Sequence, residues 1–147
     1  QASNKVVGEW LEEHCPWGQA KLIKPEYTHG DSRFDFYIET QEQKILLEVK
    51  GVTLERDGVV LFPDAPTERG IKHLHGLINA KKEGYLTAVF FVIQMQGVKY
   101  FTPNRETHPK FAEVLVEAAN AGVEILAYDC KVWEDGFEIN NKVDICL

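Results

Sequence analysis

The chain has 147 residues, of which 44% are hydrophobic and 27% charged, and a formal net charge of −7. That length fits one domain with a real core, the composition excludes disordered and membrane classes, and no apolar run reaches the ~18 residues of a membrane span. The acidity excludes a domain that coats DNA by bulk electrostatics, because non-specific affinity comes from Lys and Arg neutralising phosphates; any nucleic-acid contact must be local.

In chain order, Ser3 is placed to cap a helix whose apolar residues Val6, Val7, Trp10 and Leu11 recur at helical spacing, with Pro16 and Gly18 ending it. Residues 21–29 read as an extended segment, and Gly30-Asp31 supplies a turn. From Arg33 to Glu39 the pattern alternates: Phe34, Phe36 and Ile38 point one way, Arg33, Asp35, Tyr37 and Glu39 the other. Residues 44–50 repeat it, with Ile45, Leu47 and Val49 opposed to Leu46, Glu48 and Lys50, which predicts two half-buried strands. Val59 to Phe62 forms a further strand or edge. Thr67 then opens a helix running to about Glu83, with Ile71, Leu74, Leu77 and Ile78 as its core face and Gly84 as its stop.

Residues 85–94 are so continuously apolar that both faces must be covered, as in a central strand between helices. A helix over 109–121, stopped by Gly122, and a strand over 123–128 complete the body. The order is that of an α/β fold with a mixed β-sheet flanked by helices. Cys15, Cys130 and Cys146 form no CxxC motif or Cys/His cluster and are expected to be reduced. The start does not resemble a signal peptide, and a cytoplasmic location is expected. The three tryptophans, Trp10, Trp17 and Trp133, are expected to serve packing.

If the two alternating strands pair as a hairpin through residues 40–43, Glu39 faces Lys44, Tyr37 faces Leu46, and Asp35 faces Glu48. Like charges directly opposite on one face destabilise a sheet. A divalent cation compensates them, since Mg²⁺ takes oxygen ligands from one or two carboxylates. Lys50 follows Glu48 by two residues and shares its face, placed to hold an attacking water or stabilise developing negative charge. The alternative is an ordinary solvated face on which Arg33 and Lys44 neutralise the carboxylates. A helix before these strands and a helix and buried strand after them form the setting of the PD-(D/E)xK, or restriction-endonuclease-like, core. Candidate catalytic residues are therefore Asp35, Glu48 and Lys50; candidate ligands of Mg²⁺ or Mn²⁺ are Asp35, Glu48, the Val49 carbonyl and Glu26.

Arg69, Lys72 and His73 lie together near the start of the long helix, where basic charge opposes the helix dipole, and a bound phosphate would relieve that conflict. A solvated face partnered by Glu68 is the competing account. Arg33 and Gln94 join these three as candidate DNA or phosphate contacts, Gln94 because it emerges at the end of the buried strand.

Four ordered blocks, Ser32 to Phe36, Leu47 to Leu54, Phe62 to Leu74 and Ala121 to Tyr128, closely resemble the sugar fermentation stimulation protein family, SfsA. The resemblance implies a PD-(D/E)xK nuclease-like domain spanning 1–147, with Asp35, Glu48 and Lys50 as its motif. It also implies DNA as partner, a link to regulation of sugar, notably maltose, metabolism, and an upstream OB-fold-like module absent from this chain. Phe34 stands where the motif has Pro, which removes no ligand. Two activities are therefore expected: metal-dependent phosphodiester hydrolysis, or regulatory DNA binding by a nuclease-like fold without turnover.

Overall fold

The computed structural model describes residues 2–147. Helix α1 (Ala2–His14) precedes an antiparallel run of β1 (Leu22–His29), β2 (Ser32–Glu39) and β3 (Lys44–Val52), followed by the short hairpin β4 (Leu54–Arg56) and β5 (Val59–Phe62). Helix α2 (Glu68–Lys82), β6 (Leu86–Ile93), β7 (Tyr100–Pro103), α3 (Pro109–Asn120), β8 (Glu124–Trp133) and β9 (Gly136–Lys142) complete the order. Six strands form one mixed sheet, β1-β2-β3-β6-β8-β9, and β4-β5-β7 form a second. The β3/β6 and β6/β8 pairs are parallel, which requires crossover connections, and α2 and α3 lie in those two crossovers.

The helices divide the core. Val7 and Leu11 of α1 pack on one face with Phe36, Ile38, Ile45, Leu47, Phe90 and Val92. Leu74, Leu77 and Ile78 of α2 and Phe111, Val114 and Leu115 of α3 cover the other with Leu46, Val89, Phe91 and Ile93. The residues of β6 therefore alternate between two buried faces, as the apolar run 85–94 predicts. Trp10 packs edge-on against Phe90 and Tyr128, with ring centroids 5.3 and 5.0 Å away. No described helix is long and apolar enough to cross a membrane.

Four expectations are corrected. Strands β2 and β3 are not half-buried: Phe36, Tyr37, Ile38 and every residue from Ile45 to Val49 are buried, because helices cover both faces. Phe34 does not share a face with Phe36 and Ile38; it joins Tyr37 in the α2 cluster, so the alternation breaks across Asp35. The break coincides with Glu26, which holds a left-handed φ of 53° and drops out of the β1/β2 ladder between Pro25↔Phe36 and Tyr27↔Phe34. Ser3 is no cap, since it lies inside α1, buried, with its hydroxyl accepting from Gln94 Nε2 at 2.9 Å. Trp133, at the end of β8, is 51% exposed and contributes little packing.

Candidate functional site

The hairpin of β2 and β3 pairs in the expected register from Glu39↔Lys44 to Phe36↔Leu47, and there its ladder ends. One step further, Asp35 comes opposite Glu48, but Asp35 turns its carboxylate onto the backbone of β3. Its Oδ2 accepts from the Val49 N–H at 2.7 Å, and its Oδ1 accepts from the Asn4 amide of α1 at 3.0 Å. A cleft of about 1330 Å³, larger than most small-molecule pockets, lies here, lined by residues of α1, β1, β2 and β3 and by the start of α2.

Glu48 stands in this cleft at 3% exposure. Its Oε2 lies 2.6 Å from His73 Nδ1 and 3.5 Å from Lys50 Nζ. Its Oε1 has no hydrogen-bond partner among the described residues. A buried carboxylate oxygen left without a donor is costly, so this atom marks a place built for something further. Burial pushes the Asp35 carboxyl above its usual range, and the nearby Glu48 charge adds to the rise. The Val49 N–H, the Asn4 amide and Lys50 oppose it. Two proximal carboxylates, one raised by the other, form the arrangement expected where a cation is to be held.

Lys50 Nζ also lies 2.7 Å from His73 Nδ1. One ring nitrogen either donates to Glu48 or accepts from Lys50. His73, grouped by the sequence with Arg69 and Lys72 as a phosphate contact, is thus turned inward against the carboxylate. Arg69 and Lys72 line the cleft and are exposed, on a helix start capped by Thr67, whose hydroxyl accepts from the Gly70 N–H at 2.8 Å. Gln94 lines the cleft while bound to Ser3. Glu26 and Arg33 lie on the rim and are paired to each other, Nη2 to Oε1, at 2.7 Å.

Among the described residues no group of three or more His, Cys, Asp or Glu is disposed to hold a metal. The donor set that fits a hard cation is the Asp35 and Glu48 pair, with Glu48 Oε1 free to ligate. Asn4 escaped the sequence reading, which saw the first turn of α1 only as a place for a cap. A polar pair at its start, Ser3-Asn4, was the available signal.

The family described as "Sugar fermentation stimulation protein RE domain" matches residues 1–136. The chain is 54% identical over 147 residues to a sugar fermentation stimulation protein homolog of Clostridium beijerinckii, covering all of this chain and 65% of the relative. It is 52% identical over 147 residues to a homolog of Desulfitobacterium hafniense, covering all of this chain and 64% of the relative. The chain thus spans about 65% of the length of these curated relatives. Among solved structures, that of Pyrococcus furiosus SfsA in complex with Ca²⁺ superposes with a TM-score of 0.91 at 28% identity, over 99% of this chain and 64% of that one. With matched sequence over nearly its whole length and the same fold, the chain belongs to the sugar fermentation stimulation protein family, SfsA.

Proposed function

We propose that residues 1–147 form a PD-(D/E)xK-type domain that hydrolyses DNA phosphodiesters with Mg²⁺ or Mn²⁺. The observation that carries this reading is Glu48 Oε1, buried without a donor beside Asp35 in an open cleft. Asp35, Glu48 and the Val49 carbonyl would hold the cation, with Glu26 as a further oxygen ligand if it leaves Arg33. The Ca²⁺ complex of the Pyrococcus furiosus relative supports a divalent cation in this family, since Ca²⁺ and Mg²⁺ are both hard cations that take oxygen ligands. A cation bound there supplies polarisation of a phosphoryl oxygen and offsets the charge gathering on phosphorus.

The chain's own residues supply the rest. Arg69 and Lys72, exposed and lining the cleft, would bind backbone phosphates of the strand and fix it against α2. Lys50, released from His73, holds the attacking water and donates to a phosphoryl oxygen as the P–O bond to the leaving group breaks. The water oxygen attacks phosphorus as the bond to the leaving oxygen breaks; the proton the water loses passes to solvent in the open cleft, and solvent protonates the leaving oxygen.

A labelled DNA incubated with Mg²⁺ or Mn²⁺ tests this. Cleavage should require the cation and fall by at least about 100-fold in Asp35→Ala and in Glu48→Ala. Cleavage unchanged by either substitution sinks the assignment. DNA binding without any cleavage, indifferent to both substitutions, favours a regulatory protein that binds DNA without turnover.

A further inference from the structure

The opening helix reaches the site twice, through consecutive residues. Ser3 Oγ accepts from Gln94 Nε2, at the end of β6, at 2.9 Å, and Asn4 Nδ2 donates to Asp35 Oδ1, on β2, at 3.0 Å. Strand β3, which carries Glu48, runs between β2 and β6. The first turn of α1 therefore spans the ligand-bearing strand and grips the residues on both sides of it.

This crossing is close. A Cβ built on Gly51 would stand 2.9 Å from Gln94 Nε2 and 3.1 Å from Ser3 Oγ, so a side chain at position 51 would crowd that hydrogen-bonded pair. The helix is held there from below by Val7 and Leu11, both fully buried against Phe36, Ile38 and Leu47. Its register on the sheet is thus fixed by core packing, and the two polar contacts are carried along at fixed positions.

Asp35 needs such a hold. The ladder of β2 and β3 ends at Phe36↔Leu47, so no cross-strand backbone pairing continues at Asp35. Its side chain has two anchors, the Val49 N–H on one oxygen and the Asn4 amide on the other. Each carboxylate oxygen keeps a second lone pair for a ligand bond, so the two anchors orient the group without exhausting it. Without Asn4 the carboxylate is free to turn about the single remaining bond.

We propose that Asn4 is a positioning residue for the metal centre, holding Asp35 in the orientation that ligates a divalent cation, on a helix that Val7 and Leu11 seat on the sheet and the Ser3–Gln94 contact ties to β6. This inference rests on the metal-centre reading above. Partners that orient ligating groups typically change metal affinity by about 10–100-fold when removed.

The test is calorimetric titration of Ca²⁺ and Mn²⁺ into the chain and its Asn4→Ala and Asn4→Leu variants, together with metal-free melting. Leu matches Asn in size and keeps the helix, so it removes the donor with little change in packing. Both variants should bind each cation at least about 10-fold more weakly while keeping a metal-free melting temperature close to that of the parent. Affinity equal to the parent in a folded variant overturns the inference, and so does a lowered melting temperature with affinity unchanged, which would make Asn4 merely structural. A parent chain that binds neither cation would count against the metal centre itself.

Discussion

His73 Nδ1 stands 2.6 Å from Glu48 Oε2 and 2.7 Å from Lys50 Nζ, and one imidazole nitrogen cannot serve both. His73 meets the buried Glu48 carboxylate on one oxygen, while the other oxygen has no donor among the described residues. Stability and function therefore meet at the same atoms.

Removing His73 should expose that dependence. His73→Ala leaves a buried carboxylate with Lys50, 3.5 Å away, as its cationic neighbour and Asp35 nearby, and the protein without added metal should lose about 1–3 kcal/mol. Urea denaturation measures it. Saturating Mn²⁺ should restore much of the loss, since a ligand that binds only the folded state stabilises it. An unchanged midpoint without metal would mean that the contact contributes nothing.

The Asp35 carboxyl, raised by burial and by Glu48, predicts a sign as well. Its folded-state value exceeds its unfolded value, so its contribution is fully present below the ordinary aspartate range and is lost as pH rises through the raised value. The amide introduced by Asp35→Asn does not titrate and serves as the reference. The stability of the parent relative to that variant should therefore decline as pH rises from about 4, and metal affinity, which needs the carboxylate, should climb over the same window. A stability difference that stays flat, or that grows with pH, would contradict the environment described for Asp35.

The wall formed by α2 makes a different kind of prediction. Arg69 and Lys72 are exposed and line the cleft, so under the proposed function they would act on DNA through phosphates. Arg69→Ala and Lys72→Ala should each weaken binding across unrelated sequences and reduce the salt slope of the logarithm of the binding constant by about 1. Fluorescence anisotropy over a salt series reads both quantities, and an unaltered slope would remove these residues from the interface.

Much of this arrangement was legible beforehand because hydrophobic period reports burial directly. The continuous run at residues 86–93 could only be covered on both faces, and the helix over α2 followed from Ile71, Leu74, Leu77 and Ile78. The register of β2 on β3 followed from loop length and alternation, and with it the approach of Asp35 to Glu48. Strands β4, β7 and β9 were not legible. They are short or polar, as Glu55 and Arg56 or Glu138 to Asn141 show; β4 and β9 are strands only as arms of tight hairpins with β5 and β8, and β7 only through β5, a partner distant in the chain. The break in alternation at Asp35 was hidden for the same kind of reason, since it accompanies the left-handed backbone of Glu26, a conformation nothing in a Pro-Glu-Tyr stretch announces. The role of Asn4 required knowing that α1 crosses over β3.

The central claim, that Asp35 and Glu48 together hold a divalent cation, is tested most directly by calorimetric titration of Mg²⁺ and Mn²⁺ into the parent chain, Asp35→Ala and Glu48→Ala. The parent should bind, and each variant should lose binding by at least about 10-fold, because each removes a ligand that the other cannot replace. Binding to Glu48→Ala with the affinity of the parent would contradict the account, for it would place the cation away from Glu48 Oε1, a buried carboxylate oxygen with no partner among the described residues.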